Sequence, residues 1–360
     1  ADGLDDPCPV LFHGNVSSSC GCRVVTLRGS DSNNRPRPWQ CRAWRDYTCG
    51  MSEGKFSGPV KTTVGEAIDY CFEQLGASDA FYGHGTDNPW DEAVQMVLSV
   101  TDLPLDADDG VLPHPVTSGQ WKSILELLQR RIDERVPLPY LTGRAWFAGL
   151  EFRCDERAIV PRSPIAELIQ HDFRPWYAGA EPGAILDLCC GGGGIGLAAA
   201  WYSEAHVDLV DLDGEALALA RENLELLAAA RPDLRSRVRL LQSDLFQAVS
   251  NRRYDLILTN PPYVDAEDLA NMPAEYSHEP AISLGSGVDG LDLTHRILRE
   301  AGRFLEDHGL LVLEVGNSWE ALEAAYPAVP FTWLEFEHGG HGVCALTARE
   351  VRDISASFNR

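Results

Sequence analysis

Asn260-Pro261-Pro262-Tyr263 brings together a side-chain carbonyl acceptor, two prolines that stiffen the backbone without offering N–H groups, and an aromatic face with a polar tip. Such a set suits a planar NH2 group. The carbonyls of Asn260 and Pro261 can accept both amino hydrogens, leaving the nitrogen facing an electrophile while Tyr263 covers the plane. A strand that merely ends in an Asn-Pro turn would show the same tetrapeptide, so its meaning depends on what stands before it.

What stands before it is Asp187-Leu188-Cys189-Cys190-Gly191-Gly192-Gly193-Gly194-Ile195-Gly196, between an apolar run and a helical pattern. Glycines at such a junction let the backbone turn sharply and approach a ligand closely. Taken as Gly191-x-Gly193-x-x-Gly196 with Asp211 further on, the loop also fits a dinucleotide fingerprint. The acids favour S-adenosyl-L-methionine instead. Asp187 precedes the loop, where it would meet the amino-acid end of the cofactor. Asp211 and Leu212 close the second strand, where the carboxylate can accept from both ribose hydroxyls. Asp244 and Leu245 close the third, where the carboxylate can accept from the adenine amino group. Asn260 closes the fourth. The cofactor-binding set expected is therefore Asp187, Cys189, Gly191, Gly193, Asp211, Leu212, Asp244, Leu245 and Asn260, and the substrate-facing set is Asn260, Pro261, Pro262 and Tyr263. Cys189 and Cys190 are read as small side chains packed under the loop rather than a redox pair. His338 and His341 in Glu337-His338-Gly339-Gly340-His341-Gly342 are read as a tight turn, and no metal site is expected.

These residues need a sheet to hold them. Strand patterns fall at residues 184–188, 206–211, 238–241, 254–260, 309–315, 331–336 and 343–347, with helical patterns at 195–202, 215–228, 291–304 and 319–325. Such alternation predicts a mostly parallel sheet with helices on both faces, and the Gly-rich link 337–342 makes the last two strands antiparallel. Upstream, Val64, Ile68, Cys71, Phe72 and Leu75 share one helical face, as do Trp121, Ile124, Leu125, Leu128 and Ile132. Between them Asn88 reads as a cap, Pro89 as the first helical residue, and Asp91 and Glu92 as first-turn acids. The glycines around His84 have no capping role and leave that loop free to touch a substrate. Short β-like pieces at 145–152 and 158–160 suit a hairpin, and Pro161-Arg162-Ser163-Pro164 opens a helix. The organisation expected is an extension at 1–60, disordered or non-native, a helical domain at 61–137, a hairpin linker at 138–162, a catalytic domain at 163–350 and a tail at 351–360.

Composition narrows the class of partner. The 360 residues carry 54 Asp and Glu against 30 Lys and Arg, a net charge of −24, which disfavours broad phosphate-backbone binding and suits a basic partner. No run approaches the ~18 apolar residues of a membrane span, and a cytoplasmic protein is expected. Five of the ten cysteines lie in the first fifty residues. Cys20, Cys22, Cys41 and Cys49 with His13 contain no Cys-x-x-Cys pair, so zinc is not expected there.

Taken together, the residues resemble the HemK/PrmB-type protein-glutamine methyltransferases over roughly residues 61–350. The glycine loop and Asn260-Pro261-Pro262-Tyr263 mark a wider class that includes amino-methylating DNA enzymes. More specific are Pro161-Arg162-Ser163-Pro164-Ile165, the Tyr82 to Glu92 loop, His278-Glu279-Pro280, Gly287-Val288-Asp289-Gly290-Leu291, and the tail from Trp333 through Gly339-Gly340 to Val343. The resemblance implies a class I S-adenosyl-L-methionine-dependent methyltransferase, with a Rossmann-like seven-stranded, mostly parallel sheet, an N-terminal helical domain and a linking β-hairpin. Its implied substrate is a glutamine of large-subunit ribosomal protein L three. Where this chain has Cys190 and Gly192, the family usually has Thr and Ser or a similar small residue. Methylation of a release factor or of a nucleic-acid base, and a non-catalytic role in ribosome assembly, are the alternatives.

Overall fold

The computed structural model describes residues 62–358. The whole of the expected extension at 1–60, with the cysteine and histidine cluster within it, lies outside the described residues.

The chain begins with β1 (Thr62–Thr63), α1 (Val64–Gly76), α2 (Pro89–Thr101), β2 (Pro115–Val116), α3 (Ser118–Asp133) and α4 (Leu138–Thr142). Val64, Ile68, Cys71 and Leu75 of α1 pack with Ala93, Val97, Ile124 and Leu128 in one apolar cluster. Phe72 departs from the expected face. It is exposed at the edge of the cluster, where its ring meets Trp90 edge-on. The start of α2 is capped as its sequence requires, with the Asn88 side chain accepting from the Asp91 N–H at 2.9 Å and Pro89 opening the helix.

An antiparallel pair follows, β3 (Arg144–Phe147) and β4 (Leu150–Arg153), turned through Ala148 and Gly149, both at positive φ. The strand expected at 158–160 does not form. The Ala158 N–H turns back to the Asp155 carbonyl, and the Val160 N–H goes to the Glu279 carboxylate, so neither is left for a ladder.

The rest is α5 (Ile165–Gln170), β5 (Ala184–Leu188), α6 (Gly194–Tyr202), β6 (His206–Asp211), α7 (Gly214–Ala228), α8 (Leu234–Arg237), β7 (Val238–Gln242), β8 (Tyr254–Thr259), α9 (Ala266–Asn271), α10 (Asp292–Glu300), β9 (Leu305–Glu314), α11 (Trp319–Ala325), β10 (Thr332–Trp333), β11 (Val343–Thr347) and α12 (Ala348–Ser357). Seven strands make one sheet in the order β10-β11-β9-β8-β5-β6-β7. β7, β6, β5, β8 and β9 run parallel, and β11 is antiparallel to both β9 and β10.

Both faces of the sheet are buried, which explains why its strands are near-continuous apolar runs. Along β8, Leu256 and Leu258 join one core cluster while Ile257 joins the other. Two elements are shorter than their patterns suggest. The helix expected to reach Phe304 ends at Glu300 and continues as a 3-10 turn over 301–303, and the strand expected over 331–336 pairs only at Thr332 and Trp333. One segment gains structure. The expected tail contains most of α12, whose Val351 and Ile354 are buried in the core on the face of α10.

The strand order reverses between β5 and β8, and such a switch point opens a crevice at the carboxyl ends of the strands. The register fixes what lines it. Leu188 stands opposite both Val210 and Thr259, and Thr259 opposite Leu313. The next residue of each strand, respectively Cys189, Asp211, Asn260 and Glu314, therefore enters the crevice at the same level.

Candidate active site

The glycine loop is shaped by contacts from below. The buried Asp187 carboxylate accepts the Gly196 N–H at 2.7 Å through Oδ2, and a Cβ on Gly196 would sit 2.8 Å from that side chain, so only glycine lets α6 start there. Asp187 Oδ1 is buried with no hydrogen-bond partner, and burial pushes the carboxyl up to about 7. Cys189, Gly191 and Gly193 all have positive φ, which curls the loop around its own N–H groups. Asp211 braces the turn from β6, accepting from the Gly191 N–H at 2.8 Å and from the Asp213 N–H at 2.9 Å. Burial raises its pKa as well. Asn223 of α7 ties the loop to the hairpin, donating to the Gly192 carbonyl at 2.9 Å and accepting from the Arg153 N–H at 2.7 Å.

The remaining expected cofactor residues are less uniform. Leu212 is 55% exposed at the lip, where an apolar side chain can cover a flat ring. Asp244 is paired with Arg296 at 2.7 Å, a charge that competes with the adenine role expected of it. The Leu245 side chain is packed in the core and its backbone has positive φ, which leaves the main chain, not the side chain, to face a ligand. Cys189 and Cys190 are reduced, and burial drives both thiols far from ionisation.

Asn260 shares a cleft with Cys189, Cys190, Gly191 and Gly192 on one side and Pro161, Arg162 and Ser163 on the other. Thr259 anchors it, donating to the Leu188 carbonyl at 2.7 Å across the switch point. Tyr263 is gripped at three places. Its hydroxyl donates to Glu314 at 3.2 Å, its carbonyl accepts from Ser318 at 2.9 Å, and its ring lies against Gly316. A Cβ on Gly316 would strike that ring, a Cβ on Gly290 would strike the Tyr263 carbonyl, and a Cβ on Gly342 would strike Gly316. The glycines of two separate sequence motifs thus converge on one aromatic residue.

A second set of buried groups joins the helical cluster to this cleft. Arg162 makes a two-pronged pair with Glu279, at 2.6 Å through Nη2, and its guanidinium lies over the Tyr276 ring. His84 is buried 4.5 Å from the same ring, with Nε2 3.7 Å from Glu279. Burial, then the neighbouring Arg162 and Arg131 charges, hold the His84 imidazole neutral, well below its ordinary pKa. Arg131 bonds Glu92, Glu275 at 3.0 Å and the Phe81 carbonyl at 2.6 Å. Glu279, Glu314, Arg131 and Asn223 were not candidates from sequence. Glu279 carried a signal as part of His278-Glu279-Pro280, and Glu314 because it closes its strand as Asp187, Asp211 and Asn260 adjoin the ends of theirs.

A switch-point crevice with a curled glycine loop, acids from adjacent strands and an Asn-Pro-Pro-Tyr turn defines the class I S-adenosylmethionine-dependent methyltransferases. The family model for the methyltransferase small domain matches residues 176–275. The ribosomal protein uL3 glutamine methyltransferase of Francisella tularensis is 42% identical over 300 residues, covering 83% of this chain and 94% of that one. Its namesake from Xanthomonas campestris is 46% identical over 295 residues, covering 82% and 94%. A solved methyltransferase from Pyrococcus furiosus is a looser likeness, with 19% identity, a TM-score of 0.39, and coverage of 56% of this chain and 89% of that one. This chain belongs to the ribosomal protein uL3 glutamine methyltransferase family.

Proposed function

We propose that this chain methylates the side-chain amide nitrogen of a glutamine in ribosomal protein uL3, with S-adenosyl-L-methionine as donor. The observation that carries the reading is the placement of Asn260 beside the glycine loop at the switch point, in a chain of this family. Fit to the cofactor rests on Asp187 Oδ1, a buried acceptor without a partner, and on the curled backbone at Cys189, Gly191 and Gly193. A cationic ammonium group near Asp187 would relieve its burial cost. Asp211 would receive the ribose hydroxyls, and Leu212 would cover the base.

When bound, the sulfonium supplies an electrophilic methyl group. The protein's own task is placement, because an amide nitrogen has a delocalised lone pair and attacks only when held in line. Asn260 and the Pro261 carbonyl accept from the two N–H bonds of the substrate amide, while Pro262 stiffens the turn and Tyr263 covers the plane. These bonds strengthen as the nitrogen gains positive charge, so they favour the transition state over the ground state. No general base is needed before transfer, since the methylated nitrogen is itself strongly acidic.

The helical portion is read as the surface that meets the protein substrate, and the cytoplasm as the compartment. With a net charge of −24, association with a basic ribosomal protein should slow on the order of tenfold as salt is raised. Stopped-flow binding at several ionic strengths checks this, and a rate indifferent to salt would remove the electrostatic argument. Asp211→Ala should weaken cofactor binding, measured by calorimetry, by roughly tenfold or more, as expected for two lost hydrogen bonds to an ionised group. An unchanged affinity would take Asp211 out of the site.

The decisive test presents labelled S-adenosyl-L-methionine with uL3, a release factor and DNA in separate reactions. Label on uL3 alone supports the assignment. Label on either other acceptor overturns the substrate while keeping the chemistry, and label on none returns the chain to a binding role in ribosome assembly.

A further inference from the structure

Glu314 ends β9 one residue beyond the Leu313 that pairs with Thr259, so its side chain enters the crevice at the level of Asn260. The carboxylate is 5% exposed and receives two hydroxyls from opposite sides. Tyr263 donates to Oε1 at 3.2 Å, and Ser163 donates to Oε2 at 2.6 Å. Ser163 is itself held in place, because its oxygen accepts the Ile165 N–H at 3.1 Å where α5 begins. Ser163, with Pro161 and Arg162, lines the cleft that holds Asn260, and Tyr263 follows Asn260 by three residues. Glu314 therefore bonds both Tyr263 and a residue of the cleft wall, Ser163.

Burying a carboxylate is costly, and simple packing would be served by an apolar residue. What a carboxylate adds is direction. Tyr263 can rotate about its side-chain bonds, and a ring free to do so would cover the substrate plane only part of the time. A two-sided acceptor fixes both the ring and its distance from Ser163. Gly316 crowds the ring from the adjoining turn, so the hydroxyl of Tyr263 is the remaining handle by which its tilt is set.

We propose that Glu314 is a positioning residue for the methyl transfer, acting through the Tyr263 hydroxyl and Ser163 to hold the aromatic lid over the substrate amide. This rests on the reading of the site given above. Both oxygens of Glu314 are taken by Tyr263 and Ser163, so its effect should pass through Tyr263.

The test is a double-mutant cycle in the full chain, with steady-state methylation of uL3 by wild type, Glu314→Ala, Tyr263→Phe and the double variant. Glu314→Ala should lower kcat by about 30- to 100-fold, the scale on which a small misplacement acts, with little change in KM for the cofactor. Tyr263→Phe should cost part of the same factor, and adding Glu314→Ala to it should cost less than the single change does alone. Glu314→Gln, which keeps the shape and an acceptor oxygen for the Tyr263 hydroxyl while its NH2 can donate to the Ser163 oxygen, should recover part of the loss and guards against a variant that fails to fold. Losses that multiply independently, or a fall in kcat matched by loss of cofactor affinity, would overturn the proposal. Should the wild type methylate nothing, the proposed function fails, and Glu314 is judged by a crystal structure of Glu314→Ala. A displaced Tyr263 ring there supports its positioning role, and an unmoved ring refutes it.

Discussion

Asn260→Ala is expected to lower methyl transfer to uL3 by about 10³-fold or more, the upper range for removing one preorganised polar contact from a transition state. The structure explains why no neighbour can take over. Asn260 follows a strand whose Thr259 is bonded across to Leu188, and the prolines that come next have no N–H and little freedom to rearrange. The cleft residues facing it, Arg162 and Ser163, are already committed to Glu279 and Glu314. Cofactor affinity should change little, because the glycine loop is held by Asp187, Asp211 and Asn223 without help from Asn260. Single-turnover transfer and calorimetric cofactor binding, measured on the same preparation, separate the two effects. Turnover within about tenfold of wild type would end the placement argument, since it would leave less than 1.4 kcal/mol for a contact assigned the central role.

Arg131→Met should be the most destabilising of the changes considered, by roughly 3–5 kcal/mol, because it leaves buried carboxylates without their counter-charge. Arg131 is 1% exposed and answers Glu92 from α2, Glu275 from the segment after Asn260-Pro261-Pro262-Tyr263, and the Phe81 carbonyl between them. Burial alone would raise the Glu275 carboxyl, yet the Phe81 N–H, Arg135 and Arg131 hold it below its ordinary value. Burial pushes the Glu92 carboxyl up despite the same guanidinium. Glu92 is thus the member nearer to giving up its charge. Adding Glu92→Gln to Arg131→Met should recover part of the loss, because one of the stranded charges is then gone. Denaturant unfolding of the three proteins checks both statements. A loss below about 1 kcal/mol for Arg131→Met would show the cluster to be open to water and incidental to stability.

The effect should also reach activity. Glu275 and Glu279 lie in one short segment, the first bonded to the helical cluster and the second to Arg162 at the cleft wall. Loosening Arg131 would therefore loosen the wall that faces Asn260. This link gives the Tyr82 to Glu92 loop a physical role beyond capping. Its Phe81 neighbour donates its N–H to Glu275, and His84 is buried against Tyr276 and Glu279, so the loop acts first as a joint between the helical cluster and the site.

Much of the site was legible in sequence because its signals are local. A glycine run between an apolar strand and a helix has few other uses, and acids at strand ends recur at a spacing that the βα repeat sets. Gly290 and Gly342 were legible only as members of motifs, with no hint that one crowds the Tyr263 carbonyl and the other the Gly316 that lies against its ring. Leu245 illustrates the opposite case. Its place beside Asp244 marked it for the cofactor, but an apolar side chain near a core is pulled inward, and its side chain is packed there.

By itself the sequence determined the sheet, the crevice and the two chemical ends of that crevice, the glycine loop and Asn260-Pro261-Pro262-Tyr263. Periodicity and turn chemistry act over a few residues, and a linear reading contains them. Only the tertiary structure decided which charges meet. Ser163 and Glu314 are 151 residues apart in the chain, Arg131 and Glu275 are 144 apart, and Arg162 and Glu279 are 117 apart. A charged residue's type says nothing of whether water or a distant partner will satisfy it. That is settled when packing removes the water, and the groups left inside must then answer one another.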